Sequence, residues 1–265
     1  MKKHINIFLL HFQDAFESRS RSFVWFLLAL LNPLIALLFW YGALRDNSLL
    51  FPAWNLFAIA AYYFLLILVN AFLHVHIEEE VAFIDIQQGR LSSYLMRPIS
   101  YLYLKLCTEL PYRLIQGIYG LTTLIIFSAV FKLQFIRIDF MILPLTLIIA
   151  ACAFAVSFIF KIIVGISAFW VTDARGLQEL VFVIVLTFAG FVMPVELFPP
   201  LLAKISNILP FAYMIYYPVI ALQGKLGINQ SLGIIGVQLI WICILTIVYK
   251  KMWRAGVKLY TGVGL

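Results

Sequence analysis

Nucleophilic catalysis at Ser167 is the first chemistry that the residue types suggest. Residues 165–168 read Gly-Ile-Ser-Ala, which is weakly like the motif around a serine nucleophile. Such a serine needs a histidine base within hydrogen-bond reach. None of the four histidines lies in a later hydrophobic segment, because all are in the first 76 residues: His4, His11, His74 and His76. An intramembrane protease is therefore disfavoured, and we expect no catalytic residue in this chain.

Metal binding and nucleotide binding are the next possibilities. His74 and His76 are two residues apart and precede the acidic run 78–80. Imidazole and carboxylate groups can bind zinc, but polar residues that close a membrane span explain the pattern more simply. We therefore assign no metal site. The chain has no Gly-x-x-x-x-Gly-Lys-Ser/Thr sequence, so it does not bind ATP through a P-loop.

Three charged residues lie at helical spacing before a later hydrophobic run. Lys105, Glu109 and Arg113 follow one another at intervals of four, so they share one face of a helix. They could form a ladder of ion pairs that neutralises itself where a span enters the membrane. They could instead contact a neighbouring helix or a soluble partner. The ladder is the simpler interpretation, and both remain open.

The elements that must position these residues are membrane helices. The chain is 64% hydrophobic and 12% charged, with a mean hydropathy of +1.03. Soluble domains carry about 25% charged residues, so the sequence predicts an all-α integral membrane protein. The net charge of +7 reflects topology and not a nucleic-acid partner. No span carries a central charge, which disfavours an ion-coupled carrier.

Six stretches are apolar enough and long enough to cross about 30 Å of hydrocarbon. The fifth is short, because prolines begin directly after it. Before the first, residues 1–21 predict an interfacial helix with an apolar face at Ile5, Phe8, Leu9, Phe12 and Phe16. The alternative is that these residues simply extend the first span. The predicted spans are 22–44, 54–73, 112–131, 141–160, 177–193 and 232–249.

The distribution of basic residues predicts the orientation. With the N-terminus inside, 14 of the 19 Lys and Arg residues fall in inner segments. Because inner loops carry the excess of positive charge, we expect both termini in the cytoplasm. The polar stretch 74–111 is then cytoplasmic as well. The outer segment 194–223 is interrupted by prolines and is too apolar for an ordinary loop, which favours short re-entrant helices in the outer leaflet.

The cytoplasmic stretch contains a short predicted helix whose two ends are marked by a glycine and a proline. Gly89 can end one helix and permit a turn, and Pro98 ends the next. Leu91, Tyr94 and Leu95 form an apolar face between them. This pattern predicts a short helix parallel to the membrane whose polar residues face the cytoplasm.

Residues 88–100 resemble a known element, Gly-charged-Leu followed by Leu-Leu-x-Arg-Pro, of type 2 ATP-binding-cassette (ABC) exporter permeases. The resemblance extends over nearly the whole chain. It is strongest to the branch in which two different six-span permeases share one ATPase. The further similar motifs are Phe169-Trp170, Gly190 with Pro194, residues 197–199, residues 209–211, Pro218 and residues 253–264.

The resemblance implies a transmembrane subunit that forms half of an export pathway for an amphipathic, lipid-like, peptide or drug substrate. It implies a coupling helix on the ATPase, formed by Gln88, Gly89, Arg90, Leu91, Leu95, Arg97 and Pro98. It also implies an outer gate formed by Pro194, Leu197, Phe198, Pro199, Pro210 and Phe211. The acidic run 78–80 has no counterpart in the pattern.

The resemblance further implies partners and a location. The partners are two copies of an ABC ATP-binding subunit, which bind the ATP and Mg²⁺, and a second, non-identical permease surrounded by membrane lipid. No cofactor is expected in this chain, and the location implied is the bacterial inner membrane. The alternative is a stand-alone channel, scramblase or assembly scaffold whose cytoplasmic helix only lies on lipid.

Overall fold

The computed structural model describes residues 2–45, 54–131 and 141–260. Met1 and the last residues of the 253–264 motif lie outside the described residues. The predicted all-α fold is confirmed within these ranges, which contain helices and no strand. The α-helices are α1 Lys2–Glu17, α2 Arg19–Arg45, α3 Leu56–Leu73, α4 Leu91–Leu95, α5 Tyr101–Phe131, α6 Leu143–Ile166, α7 Ala174–Phe188, α8 Pro200–Ile208, α9 Phe211–Met214, α10 Tyr216–Leu222 and α11 Ile228–Leu259.

Helix α3 is the centre of the bundle. It packs against α2, α5, α6 and α10, and most of its residues are buried. It starts at a helix cap in which the Asn55 side chain accepts a hydrogen bond from the Ala58 amide at 2.9 Å. Its Tyr62 and Tyr63 are almost fully buried, so these two rings fill the core. Helices α6 and α11 form the other large contact of the bundle.

Five described helices are long and apolar enough to cross a membrane: Arg19–Ala43, Leu56–Leu73, Tyr101–Val130, Leu143–Phe169 and Ile228–Leu259. The predicted span 177–193 corresponds to α7, which is not among them. At a rise of about 1.5 Å per residue, the 15 residues of α7 are about 22 Å long. Helix length alone therefore supports five spans in the described residues and does not establish the sixth.

Three predicted spans are parts of longer helices. The span 112–131 starts in the structure at Tyr101, and the span 141–160 continues to Ile166. The span 232–249 becomes α11, whose 32 residues are about 48 Å long and exceed the hydrocarbon thickness. The windows 141–160 and 232–249 end directly before Lys161 and Lys250, but both helices continue through these charges, because Lys161 pairs with Glu78 and Lys250 is exposed.

The N-terminal residues form a separate helix, α1, which ends at Glu17, and a turn at Ser18 separates it from α2. Helix α1 packs on α5. Leu9, Phe12 and Phe16 of the predicted apolar face are exposed on the bundle, so the described protein does not cover that face.

Residues 194–223 fold into several short helical pieces. They are a 3₁₀ turn at Val195–Leu197 followed by α8, α9 and α10. Pro194, Pro199 and Pro210 each stand directly before one of these pieces. Proline suits the start of a helix, because it lacks the amide hydrogen that the first turn would leave unpaired. The segment packs on α3 and α6, with the Phe160 and Phe211 rings in edge contact at 5.3 Å.

Candidate functional site

The connecting segment, residues 74–100, joins α3 to α5. It leaves α3 in extended form and then makes a π-helical stretch, Glu80–Gln87. The wider π register is visible in the 2.9 Å hydrogen bond from the Gln88 amide to the Phe83 carbonyl. A turn at residues 88–90 leads into α4. Such π segments are rare and occur frequently at functional sites.

Gly89 makes the turn possible. Its φ of 83° lies in the left-handed region, which costs a residue with a side chain free energy but is open to glycine. The prediction that Gly89 separates two helical pieces is therefore confirmed. Helix α4 ends at Leu95, however, which is before Pro98. Its last residue stands three positions before the proline, and residues 96–100 form an irregular bend.

The base of the connecting segment is attached to α6 by a buried ion pair. The Lys161 ammonium donates to Oε1 of Glu78, and both side chains are almost inaccessible to solvent. The Glu78 carbonyl also accepts a hydrogen bond from Nε2 of Gln178 in α7 at 3.1 Å. Burial raises the pKa of the Glu78 carboxyl, and the neighbouring Lys161 charge acts in the opposite direction. Glu78 therefore connects two helices to one point of the segment.

A close backbone contact supports the same attachment. A Cβ atom at Gly165 of α6 would lie 2.7 Å from Cβ of Val81 and 3.0 Å from the Glu78 carbonyl oxygen. Only glycine allows the segment to approach α6 this closely. The Glu78–Lys161 pair therefore sits directly beside a packed backbone contact.

A second buried cluster attaches the segment to α5. Nζ of Lys105 lies 2.5 Å from Oδ2 of Asp85 and 2.6 Å from Oε1 of Glu80. The Tyr101 hydroxyl donates to the same Asp85 oxygen at 2.6 Å. Lys105 is 1% exposed and Asp85 is 0% exposed, so one buried ammonium is shared by two carboxylates.

The predicted ion-pair ladder on α5 is only half present. Arg113 pairs with Glu109 across one helical turn at 2.6 Å, as the spacing predicts. Lys105 pairs instead with Glu80 and Asp85 of the connecting segment. Both interpretations of the sequence therefore hold in part: Glu109 and Arg113 neutralise each other, and Lys105 contacts a neighbouring element.

His74, His76 and Ser167 make other contacts and do not form a catalytic group with one another. The His74 and His76 rings contact each other at 4.4 Å, while the Ser167 hydroxyl donates to the Val164 carbonyl at 2.6 Å. Burial lowers the pKa of His74, and His76, Lys161 and Arg113 add to the shift. In the described part of the chain, no group of three or more histidine, cysteine or acidic side chains could hold a metal ion.

The tip of the connecting segment is open to solvent. Arg90, Met96 and Arg97 are exposed, and Met96 is 80% exposed. The two guanidinium groups lie over the face of Tyr94, at 5.7 Å for Arg90 and 5.4 Å for Arg97. Stacking on one ring holds both cations on the same small surface.

Apart from half-buried Gly89, the predicted coupling residues divide into two groups. Gln88, Arg90, Leu95, Arg97 and Pro98 are exposed and form the tip. Leu91 is 0% exposed, so it anchors the helix underneath and cannot contact a partner. Leu95 belongs to the predicted apolar face and lies one helical turn after Leu91, but its side chain is 43% exposed.

The predicted gate residues lie together in the segment after α7. Pro194 and Pro199 flank the 3₁₀ turn that contains Leu197, and Pro210 leads into α9 at Phe211. The Pro194, Pro210 and Phe211 side chains are buried, Leu197 and Phe198 are half-buried, and Pro199 is exposed.

Sequence reasoning missed Asp85 and the partners of the acidic run. One signal was present, because Glu78, Glu80 and Asp85 lie in a segment that contacts a membrane bundle, where unpaired charges are costly. That cost requires basic partners nearby. The sequence could not identify Lys105 and Lys161 as those partners, since they lie 25 and 83 positions away from Glu80 and Glu78.

Comparison with known proteins identifies the family. Residues 30–264 match the family described as ABC-2 family transporter protein. No curated protein and no solved structure matches the chain. The match includes α3, the connecting segment and all later helices, so the resemblance seen in residues 88–100 is confirmed at the level of the family. Its members are membrane components that work with a separate ATP-binding subunit. The chain therefore belongs to the ABC-2 transporter family and is a multi-pass transmembrane subunit of an ABC transporter.

Proposed function

We propose that this chain forms half of the pathway for ATP-driven export of an amphipathic substrate. It works with a second, non-identical permease and with two copies of an ATP-binding subunit, which bind the ATP and Mg²⁺. The region 74–111 is the coupling region, and the tip of the connecting segment docks on the ATP-binding subunit. Both termini are cytoplasmic, the membrane is the bacterial inner membrane, and the outer gate comprises the residues around Pro194 and Phe211.

One observation carries this proposal: the connecting segment is exposed at its tip and held by buried ion pairs at its base. Lys105 on α5 and Lys161 on α6 hold the base, while Arg90 and Arg97 stand at the tip. Removing one partner of a buried ion pair costs about 3–5 kcal/mol. A force applied to the tip is therefore transmitted to α5 and α6 before the segment detaches from them.

The contacts of α7 support its role as a sixth span despite its length. Near its start, Gln178 donates to the Glu78 carbonyl, just beyond the inner end of α3. Just after its end, the Gly190 carbonyl accepts a 2.6 Å hydrogen bond from Tyr62, near the outer end of α3. Helix α7 thus runs antiparallel to α3 along most of the bundle, and six spans place both termini on one side.

The end of α11 supports the cytoplasmic orientation. Trp253 stacks on Tyr101 at 4.6 Å, so the basic end of α11 lies beside the connecting segment. Exposed Lys250, Lys251 and Arg254 are on this end. The two arginines of the connecting segment and the basic residues of the C-terminal helix share one side, as the positive-inside rule, which counts Lys and Arg, requires of the cytoplasmic face.

Exposed apolar faces support contacts with lipid and with a second permease. Most side chains in the spans of α2 and α11 are exposed on this subunit. Leu38 and Phe39 of α2 and Ile240 of α11 are examples, each at least 59% exposed. In a membrane these faces can contact lipid directly. A part of them can instead contact a second permease.

Charge reversal at the tip tests the proposal. The double variant Arg90→Glu with Arg97→Glu changes two exposed cations that share the Tyr94 ring. The matched control is Lys250→Glu with Lys251→Glu, which makes the same charge change at exposed positions on the same side. Tagged protein is purified from the native membrane, and co-purified proteins that carry a P-loop are quantified by mass spectrometry.

We expect the control to retain its P-loop partner and the tip variant to lose at least about 90% of it. Two reversed contacts at an interface of this kind cost several kcal/mol, which exceeds the roughly 1.4 kcal/mol that corresponds to a tenfold loss of affinity. Equal retention by both variants would show that Arg90 and Arg97 do not contact the ATP-binding subunit.

A further inference from the structure

A cavity of about 420 Å³ opens between the short outer helices and the first turns of α11. Its wall includes Glu196, Asn207, Tyr213, Tyr216 and Tyr217. Small-molecule sites usually measure about 300–1,000 Å³ and combine apolar or aromatic walls with a few polar groups. We call this space the tyrosine cavity.

Three tyrosine rings form one aromatic wall. Tyr213 and Tyr217 are stacked with their ring centres 4.7 Å apart, and Tyr216 meets Tyr217 edge-on at 5.2 Å. The hydroxyl groups of Tyr213 and Tyr217 both hydrogen-bond to Asn207. Tyr213 donates to the backbone carbonyl of Asn207, and Tyr217 donates to its side-chain oxygen, both at 2.9 Å. These two hydrogen bonds fix the positions of the Tyr213 and Tyr217 rings.

These phenols are neutral at physiological pH, because the usual pKa of tyrosine is about 10. Burial raises the pKa of Tyr213, Tyr216 and Tyr217 further. Neutral rings present the negative face of their quadrupole, which attracts cations. The wall therefore offers cation–π contacts at physiological pH.

The Glu196 carboxylate lies at the same cavity. It accepts a 2.8 Å hydrogen bond from Nε1 of Trp54, and its side chain is exposed. No basic side chain of the described residues lies within ion-pair distance of it; the described ion pairs involve other acids. The nearby Lys225 ammonium sits over the Trp54 ring, 3.4 Å from its centre, and interacts with the Glu196 charge only beyond ion-pair distance.

We propose that the tyrosine cavity is a binding site for an organic cation with an apolar or aromatic body. The Glu196 carboxylate balances the charge of the cation, and the Tyr216 and Tyr217 rings contact its body. If the bound cation is also the transported substrate, the inference rests on the proposed function. Binding of the cation itself requires only this chain.

The test uses two probes of the same shape and opposite charge, tetraphenylphosphonium and tetraphenylborate. The purified subunit, without any ATP-binding partner, is dialysed to equilibrium against each radiolabelled probe in detergent. We expect saturable binding of the cation and only non-saturable partitioning of the anion. Equal behaviour of the two probes would overturn the proposal, as would a lack of saturable cation binding.

Variants locate the site. Glu196→Gln keeps an oxygen for the Trp54 hydrogen bond and removes the charge, so it should weaken cation binding at least about tenfold. Glu179→Gln makes the same change at an exposed position of α7 and should leave binding unaltered. Tyr217→Leu should weaken binding, whereas Tyr217→Phe keeps the ring and should retain it. Unchanged binding by a folded Glu196→Gln variant would overturn the proposal.

The outcome is separate from that of the coupling test. The dialysis involves no ATP-binding subunit, so a chain that binds the cation but captures no such subunit supports the site and refutes the coupling role. A chain that captures the subunit but binds no cation refutes the site alone.

Discussion

Replacing Lys105 by methionine removes the one ammonium that two buried or half-buried carboxylates share. Methionine has a similar length and fits an apolar environment, so the change removes charge with little change in volume. Asp85 then keeps only its hydrogen bond from Tyr101, and its second oxygen, Oδ1, already has no hydrogen-bond partner in the structure. Glu80 loses an ion pair but is partly accessible to water, which limits its share of the cost.

The size of the effect follows from burial. Asp85 is 0% exposed and Lys105 is 1% exposed. Loss of one partner from such a pair costs about 3–5 kcal/mol, because the remaining charge stays buried without compensation. We therefore expect Lys105→Met to lower the free energy of unfolding by about 3–5 kcal/mol. Adding Asp85→Asn removes the uncompensated charge and should restore more than about 1 kcal/mol of this loss.

The assay is unfolding of the purified subunit by increasing SDS in mixed micelles, followed by tryptophan fluorescence. The control is Lys250→Met at an exposed position of α11, which should change the free energy of unfolding by less than about 0.5 kcal/mol. The reasoning would be refuted if Lys105→Met behaved like this control. It would equally be refuted if Asp85→Asn made the Lys105→Met protein less stable, since the buried carboxylate would then not be the source of the loss.

Two further perturbations test the base of the connecting segment. Gly165→Val places a side chain against Val81 at 2.7 Å and should lower the unfolding free energy by about 1–3 kcal/mol in the same SDS titration. The control Gly236→Val, with open space around its Cβ position, should have little effect. Equal effects of the two variants would show that the close contact is absent. Burial lowers the pKa of His74, so the unfolded chain binds more protons than the folded protein below about pH 6.5, and stability should fall as the pH drops from 7 to 5. His74→Phe should flatten that fall in a thermal-shift series, and an unchanged slope would mean that His74 does not contribute to it.

The sequence predicted the membrane helices because their apolar residues are continuous. It underestimated α6 and α11 because a hydropathy window stops at Lys161 and Lys250, although a helix continues through a charge that finds a partner or solvent. Lys161 remains inside α6 because Glu78 neutralises it. Such partners are set by tertiary packing, which the order of residues along the chain does not reveal.

The candidate site was predicted in outline and not in its attachments. Gly89 and the exposed cations Arg90 and Arg97 could be identified, because turn chemistry and surface charge are local properties. The burial of Leu91 and the exposure of Leu95 depend on how α4 packs on the bundle, which the helical spacing of the two residues does not reveal. Glu196 could not be distinguished by sequence from any acid in a loop, since its surroundings come from distant Trp54 and from the tyrosines of α9 and α10.

The most direct test of the account is photo-cross-linking from the tip of the connecting segment. The photoreactive residue p-benzoylphenylalanine replaces Met96, which is 80% exposed, and in a control replaces Ile240, which is 59% exposed in the apolar part of α11. After irradiation of intact membranes, the captured proteins are identified by mass spectrometry. The account predicts that position 96 captures a protein with a P-loop and that position 240 does not. Capture of no such protein at position 96, while the same membranes contain the assembled transporter, would contradict the docking of this tip on the ATP-binding subunit.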